Sequence, residues 1–456
     1  MGARGEPALR DLLRRWRERA LLTQEQLADR TGLNVRTVRR LEADALSRPR
    51  SESLRVLAEA LSLTTEEQAT LTALARGIPP TTPTHGTPPT ALTRSGLPTG
   101  ELVVTVPRGL PGDVAAFTGR SADLAELTEP VAPAEFGWDG DHGCASSTCA
   151  SPTGAAPTCA SPTVHAIDGM AGVGKTALAV HAAHRLAARF PDGQLFLDLH
   201  GHTLGTAPVE PKDALGRMLR SLGVPGDLVP EPLEDRAALY RTLLADRKIL
   251  IVLDGALDET QVRPLLPGGR QCRVLITGRR RLTGLDNART LSLDVLPVET
   301  AVTLLTRTAA AAQVAGAPAG TLAATVRRCG LLPLAIRIAA ARLRAHPAWT
   351  VEHLLERLAR HDRRLAELEA GQRSVTAALD LSYRELPRAS KRAYRLLSLH
   401  VEPDFAADTA ATLLDTTVSQ ASRLLERLLD VHLLRETTPG RYHFHDLVRE
   451  HALEAG

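Results

Sequence analysis

The chain has 456 residues, 43% hydrophobic and 23% charged, ordinary globular usage at about three times the ~150 residues of one domain, so a single small module and a wholly disordered chain are both excluded. No apolar run approaches the roughly 20 residues that span a bilayer, and the opening MGARGEPALRDLLRRW has no signal-peptide core; a cytoplasmic protein without a membrane partner is expected. The net charge of +3 excludes a basic coat over the whole molecule, but residues 1–50 hold 12 Arg against 7 acidic residues, which places any nucleic-acid face at the N-terminus.

Residues 9–76 read as a compact helical unit, with Leu9, Leu12, Leu13 and Trp16 at helical spacing. Thr23-Gln24-Glu25-Gln26 is a capping box, Gly32 supplies a turn, and Asn34 can cap a second helix, VRTVRRLE. On that helix Val35, Val38 and Leu41 share one face while Arg36, Thr37, Arg39 and Arg40 share the other. Arginine takes a guanine edge bidentately and threonine reaches bases or phosphates, so the basic face has the chemistry of a major-groove reader. The plainer alternative is a solvated helix in an ordinary bundle.

Residues 77–112 are a Pro/Thr-rich linker that cannot bury a core. A second biased stretch, about 137–162, contains CASSTCASPTGAAPTCASPT and has the composition of a disordered insertion. His142, Cys144, Cys149 and Cys159 in it lack the paired C-x2-C knuckles of a zinc site. The other two cysteines, Cys272 and Cys329, lie beside apolar segments and read as packed, reduced thiols.

From Val164 short β-runs alternate with helices: VHAID, TALAVHAAHRLAARF, QLFLDL, helices near 211–222 and 234–246, KILIVLD and CRVLIT. That alternation predicts a parallel sheet with both faces covered. Strands are expected to stop near Leu296. Helical patterns fill 297–371, and 375–456 reads as helices with a terminal hairpin, a layout that suits a winged helix. The expected fold is multidomain: an all-α helix-turn-helix (1–76), the linker, an α/β P-loop NTPase with a parallel sheet (113–295), a helical domain (296–372) and a winged-helix domain (373–456).

After VHAID comes Gly169-Met170-Ala171-Gly172-Val173-Gly174-Lys175-Thr176, G-x4-G-K-T in the strand-loop-helix setting that phosphate binding requires. The segment Gly169, Gly172, Val173, Gly174, Lys175, Thr176 and Ala177 is therefore the expected phosphate cradle for ADP or ATP, with Lys175 on the β/γ oxygens and the Thr176 hydroxyl on Mg²⁺. KILIVLD ends at Asp254, a carboxylate suited to the Mg²⁺ shell opposite Thr176. CRVLIT leads to Arg279, a cation placed to sense a γ-phosphate, whereas Arg280 and Arg281 read as solvated surface. Lys175, Asp254 and Arg279 are the set that would carry any ATPase chemistry.

The N-terminal segment, TQEQLADRTGLNVRTVRRLE with RPRSESLRVLAEAL, resembles the Cro/C1 or xenobiotic-response-element class of helix-turn-helix over about residues 9–64. That resemblance implies Gln24 on phosphate, Val35, Arg36 and Arg40 facing bases with Asn34 and Thr37 in the same contact set, and Arg48 and Arg50 on the DNA backbone. From about Asp113 the chain resembles the NB-ARC family of STAND-class signal-transduction ATPases. The resemblance rests on Phe117-Thr118-Gly119-Arg120, the P-loop, the Asp254 strand, Thr277-Gly278-Arg279, CGLLPLAI at 329–336, and Phe444-His445-Asp446. It implies that Arg120 closes the nucleotide pocket, that Pro333 packs near adenine, and that His445 contacts the ADP β-phosphate and latches a closed state.

Three positions depart from the family pattern. Gly255 stands where many relatives carry a second acid, the nearest in sequence being Asp258 and Glu259, so slow hydrolysis is expected. Gly278 replaces a Thr or Ser, and Leu332 replaces a Gly. The sequence ends ten residues after Asp446, where relatives append a repeat array, so a truncated form or a sensor elsewhere is expected. The expectation is a bacterial-type DNA-binding transcriptional regulator switched by ADP/ATP with Mg²⁺. Its expected partners are double-stranded DNA, further copies of itself in the ATP state, and an unknown signal or sensor. The alternatives are a turning-over ATPase that remodels DNA or protein, and a signalling protein whose helix-turn-helix binds protein.

Overall fold

A computed structural model describes residues 9–19, 22–31, 34–42, 56–58, 60–61, 105–129, 162–203, 205–360 and 363–455. The chain divides into two units, Met1–Pro98 and Thr99–Gly456.

The first unit contains α1 (Leu9–Arg19), α2 (Gln24–Thr31) and α3 (Val35–Glu42). Leu13, Trp16, Leu27, Ala28, Val38, Leu57, Ala58 and Leu61 form its core, with Val35 half-buried against them. The capping box closes as the sequence predicts: Thr23 N donates to Gln26 Oε1 at 2.9 Å, and Gln26 N donates to Thr23 Oγ1 at 3.1 Å. The Asn34 carbonyl accepts Thr37 N at 2.7 Å and starts α3. Arg39 is held by Glu25 of α2 at 2.7 Å.

In the second unit α4 (Ser121–Thr128) precedes the sheet. The sheet strands are β1 (Thr163–Gly169), β2 (Gln194–Asp198), β3 (Leu250–Ala256), β4 (Arg273–Gly278) and β5 (Ala288–Leu293), parallel in the order β2-β3-β4-β1-β5. Between them run α5 (Lys175–Leu186), α6 (Pro211–Ser221) and α7 (Leu233–Leu244). Alternate residues of β3 point to opposite faces: Leu250 and Val252 pack under α5, Ile251 and Leu253 under α6 and α7. Register pairs Ile167 with Thr277 and Asp198 with Asp254, so the carboxyl ends of four adjacent strands converge where an open α/β sheet binds ligands.

Helices α8 (Val298–Thr308), α9 (Ala319–Arg328), α10 (Pro333–Ala345) and α11 (Val351–Ala359) follow, then α12 (Val375–Arg384), α13 (Arg388–Leu397), α14 (Ala407–Leu414), α15 (Val418–Asp430) and α16 (Asp446–Glu454). Strands do not stop at Leu296. A hairpin joins β6 (Glu369–Ala370) to β7 (Arg373–Ser374), and β8 (Asp404–Phe405), β9 (Arg435–Thr438) and β10 (Arg441–His443) form an antiparallel sheet in the order β8-β10-β9. Two-residue strands carry no period that a sequence reading can detect. β5 also escaped that reading: it is an edge strand with only Leu291 and Leu293 buried. Residues 107–109, inside the expected linker, lie along β2, where Gln194 N donates to Pro107 O at 2.7 Å and Gly109 N to Gln194 O at 2.9 Å. A free edge has backbone groups to satisfy, and this segment satisfies them. Residues 137–161 of the insertion, with His142, Cys144, Cys149 and Cys159, lie outside the described residues; Cys272 and Cys329 are free and buried.

Candidate nucleotide site

The loop between β1 and α5 is built on glycines that no other residue replaces. Gly169 and Gly172 have φ of 140° and 80°, and a Cβ would stand 2.7 Å from Leu293 O at the first and 2.8 Å from Leu334 Cβ at the second. The loop thus turns tightly while touching both β5 and α10. Gly174, at φ 102°, precedes Lys175 at the N-terminus of α5, and Ala177 follows in the first turn. Lys175 Nζ folds back on the loop, donating to Gly169 O at 2.7 Å and Met170 O at 3.0 Å. Burial, and then the neighbouring Arg279 guanidinium, push its ammonium down to about 7, against the opposing pull of Asp168 and Asp254. An ammonium short of counter-charge beside the free N–H groups of a helix start fits a phosphate anion.

Thr176 and Asp254 meet, as do Asp254 and Thr277. Thr176 Oγ1 donates to Asp254 Oδ1 at 2.8 Å and Thr277 Oγ1 to the same oxygen at 2.5 Å. Burial raises the Asp254 pKa, with Asp198 adding to it and the two hydroxyls opposing it. One carboxylate and one hydroxyl are an incomplete oxygen set for Mg²⁺, of the kind that phosphate oxygens and water complete. Among the described residues no group of three or more His, Cys, Asp or Glu forms a metal cage.

Gly255 sits at φ 67° in an irregularity of the β3–β4 ladder. The acids nearest in sequence are occupied elsewhere, Asp258 accepting Gln261 N at 2.9 Å and Glu259 accepting Gly284 N at 3.1 Å. The acid beside Gly255 in space is Asp198, whose Oδ1 is 3.6 Å from where a Gly255 Cβ would stand. It comes from β2, outside any motif.

The remaining residues arrive from other elements. Arg120, itself at φ 65°, donates through Nη2 to Val173 O of the loop at 3.3 Å and to Asp294 O. Pro333 is the first residue of α10; its Cγ lies 4.0 Å from where a Gly174 Cβ would stand, and Leu334 N donates to Gly172 O at 3.2 Å. Arg279 Nη1 donates to Ala378 O of α12 at 2.6 Å. Burial lowers its pKa, with Glu385 opposing. His445 caps α16: its Nδ1 accepts Leu447 N at 3.3 Å and its Nε2 lies 2.8 Å from Gly330 O. Burial pushes this imidazole down to about 4, so it is neutral and donates through Nε2–H. The histidine that reaches the P-loop strand is His432, whose Nε2 is 3.1 Å from Asp168 Oδ1.

In the first unit Gln24 opens α2 and Asn34 is exposed, while Val35 and Thr37 are half-buried. Arg36 and Arg40 lie on α3 with side chains outside the described set, and Arg48 and Arg50 fall outside the described residues.

The strand order, the glycine loop and the Thr176–Asp254 pair define a P-loop nucleotide-binding fold. Residues 158–315 match the family profile of the NB-ARC domain and residues 13–68 that of a helix-turn-helix. The chain thus carries an NB-ARC domain and, before it, a helix-turn-helix domain. Two relatives, each named regulatory protein AfsR and found in Streptomyces coelicolor and Streptomyces griseus, are 44% identical over 346 residues, 76% of this chain and 33% of theirs. The chain therefore spans about a third of the length of those relatives. Similar solved structures include a STAND protein with a tetratricopeptide repeat sensor from Pyrococcus horikoshii, at 18% identity and TM-score 0.33 over 79% of this chain and 45% of that one. A Walker-type ATPase of Pyrococcus abyssi is 14% identical, with TM-score 0.43 over 64% of this chain and 91% of its own. No helix among the described residues is long and apolar enough to cross a membrane.

Proposed function

We propose that this protein is a cytoplasmic DNA-binding transcriptional regulator whose NB-ARC module is a switch set by ADP or ATP with Mg²⁺. The observation that carries the reading is the reach of residues 373–455 across the carboxyl ends of the sheet. Arg279 donates to Ala378 O at 2.6 Å, Arg281 N to Asp430 O at 3.1 Å, Arg435 pairs with Asp294 at 2.6 Å, and His432 stands 3.1 Å from Asp168. A ligand held at those strand ends is shared between the sheet domain and the C-terminal domain, which we read as a winged helix. Nucleotide then controls their closure to the extent that it binds the closed form better.

In this reading the amides of Gly169, Gly172, Val173, Gly174 and Ala177, with Lys175, hold phosphates; Thr176 and Asp254 hold Mg²⁺. Pro333 packs near adenine, Arg120 closes the pocket and His445 latches the C-terminal domain. Gln24, Asn34, Val35, Arg36, Thr37, Arg40, Arg48 and Arg50 contact DNA, with self-association in the ATP state adding further half-sites. Hydrolysis is slow in this reading, because Gly255 itself brings no carboxylate to orient water, although Asp198 Oδ1 lies 3.6 Å from where its Cβ would stand. Chromatography of the nucleotide released on denaturing the purified protein tests the switch. A gel shift on genomic fragments across a salt series tests the DNA face. Steady-state turnover above roughly 1 per second would favour a remodelling ATPase instead.

A further inference from the structure

We infer that His432 is the positioning residue through which the C-terminal domain holds the P-loop in its nucleotide-retaining shape, by docking on Asp168. The inference rests on the nucleotide reading of the loop, but its geometry is independent of any bound group. Asp168 is the residue before Gly169, the glycine whose carbonyl accepts the Lys175 ammonium at 2.7 Å. It is buried at 1% exposure, a carboxylate inside the sheet where an isolated charge is costly. Its Oδ1 accepts the Ser292 hydroxyl at 2.6 Å and stands 3.1 Å from His432 Nε2, an ion-pair approach without hydrogen-bond geometry; neither His432 Nε2 nor Asp168 Oδ2 has a hydrogen-bond partner among the described residues. If the C-terminal domain moves away, Asp168 keeps Ser292 and the strand keeps its ladders to β4 and β5, but the carboxylate loses its cross-domain neighbour beside the loop.

The backbone at His432 supports the same assignment. His432 N donates to Leu429 O at 2.9 Å and Leu433 N to Leu428 O at 2.9 Å, which is the end of α15, and His432 itself lies at φ 56°. This is the left-handed position after a helix that glycine fills without strain and asparagine tolerates. A bulky imidazole there, 13% exposed and aimed at a buried acid, has a contact to make rather than a turn to form. His432 acts through Asp168.

The left-handed backbone makes the test clean, because His432→Gly deletes the ring without straining the turn, while His432→Gln carries an amide nitrogen at about the reach of Nε2. In the full-length protein, stopped-flow release of a fluorescent ADP is expected to be about tenfold faster for His432→Gly, the loss of one polar contact to a charged group. His432→Gln is expected to restore most of the wild-type rate. Placed in an Asp168→Asn background, His432→Gly is expected to add nothing. Hydrogen exchange of residues 169–174 in nucleotide-free protein is expected to follow the same order. Wild-type release by His432→Gly overturns the inference, as does equal release by the Gly and Gln variants or an undiminished effect in the Asp168→Asn background. If the wild type binds no ADP, the switch reading fails, and the exchange of the loop still decides the role of His432 by the same comparison.

Discussion

Arg39 on α3 and Lys175 at the start of α5 are cations in two modules suited to phosphate, and their surroundings are opposite. Arg39 is 59% exposed, 2.7 Å from an equally exposed Glu25, so water and salt screen its field. Lys175 is half-buried and folded back on its own loop, its pKa pushed down to about 7. A surface of the first kind gathers affinity from many weak, salt-dependent contacts. A site of the second kind concentrates it in one group and makes it sensitive to pH. The two modules should therefore fail differently when damaged, and the experiments below set that contrast against measurement.

The largest effect is expected at Lys175. Lys175→Ala leaves the phosphates without a charge-assisted partner of up to ~3 kcal/mol, so nucleotide affinity should fall by roughly a hundredfold and the protein should purify without nucleotide. Retention equal to wild type, read by chromatography of the denatured supernatant, would sink the assignment. The pH dependence follows from the same burial. Unfolded, the lysine has its ordinary value of 10.5; folded and without nucleotide it is about 7. Between those limits the unfolded chain binds more protons, so the stability of the nucleotide-free protein rises with pH across that window, and the full cost of the buried cation is felt below it. Phosphate favours the ammonium, so binding takes up a proton above about pH 7 and affinity falls as pH rises, by at most about tenfold per unit. Lys175→Arg should flatten that slope, because a guanidinium stays charged. A flat wild-type profile by titration calorimetry would mean that Lys175 keeps its proton unaided.

Next in size are the two arginines of α3. In the full chain Arg36→Ala and Arg40→Ala should each weaken specific DNA binding by ~1–3 kcal/mol if they read base edges. Footprints identical to wild type would remove α3 from the role of recognition helix. DNA affinity should also fall steeply between low and moderate salt, because each phosphate contact releases counterions. Nucleotide affinity should change less, since its main cation is half-buried and held against its own loop. Equal salt slopes for the two ligands would erase the contrast between an exposed and a buried cation.

What the sequence made legible is what lies close together in it or belongs to a motif. The glycine loop with Lys175 and Thr176 is contiguous, and Asp254 ends an unmistakably apolar strand; both fall where their patterns put them, as does the capping box at Thr23. β5 was not legible because one face of it is solvent and only Leu291 and Leu293 carry a signal. Asp198 and His432 were not legible for a different reason. Their neighbours in sequence carry no motif, and only strand order and the packing of the C-terminal domain bring them to Gly255 and Asp168. The partner of Arg279 is a backbone carbonyl, that of Ala378, and a carbonyl has no signature in sequence at all.

The smallest effect is expected at His445, and it sharpens the contrast because this buried group is neutral. Its pKa is pressed to about 4 by burial, so near neutral pH Nε2–H donates to Gly330 O at 2.8 Å as an uncharged donor. A neutral hydrogen bond is worth ~0.5–1.5 kcal/mol. His445→Ala should therefore speed ADP release by roughly two- to tenfold and favour self-association in ATP. Because the folded pKa lies below the ordinary 6.5, the contribution of the ring to the closed form is fully present above about pH 6.5 and is lost as pH falls toward 4. The ratio of mutant to wild-type release should then be the same at about pH 7 and about pH 9, where that of Lys175→Ala changes. Gly330→Ala offers an independent route to the same state: at φ 62° its Cβ would meet His445 Cε1 at 2.4 Å, so the ring must leave. If Gly330→Ala releases ADP at the wild-type rate while His445→Ala does not, the ring acts on the nucleotide directly and its bond to Gly330 is incidental.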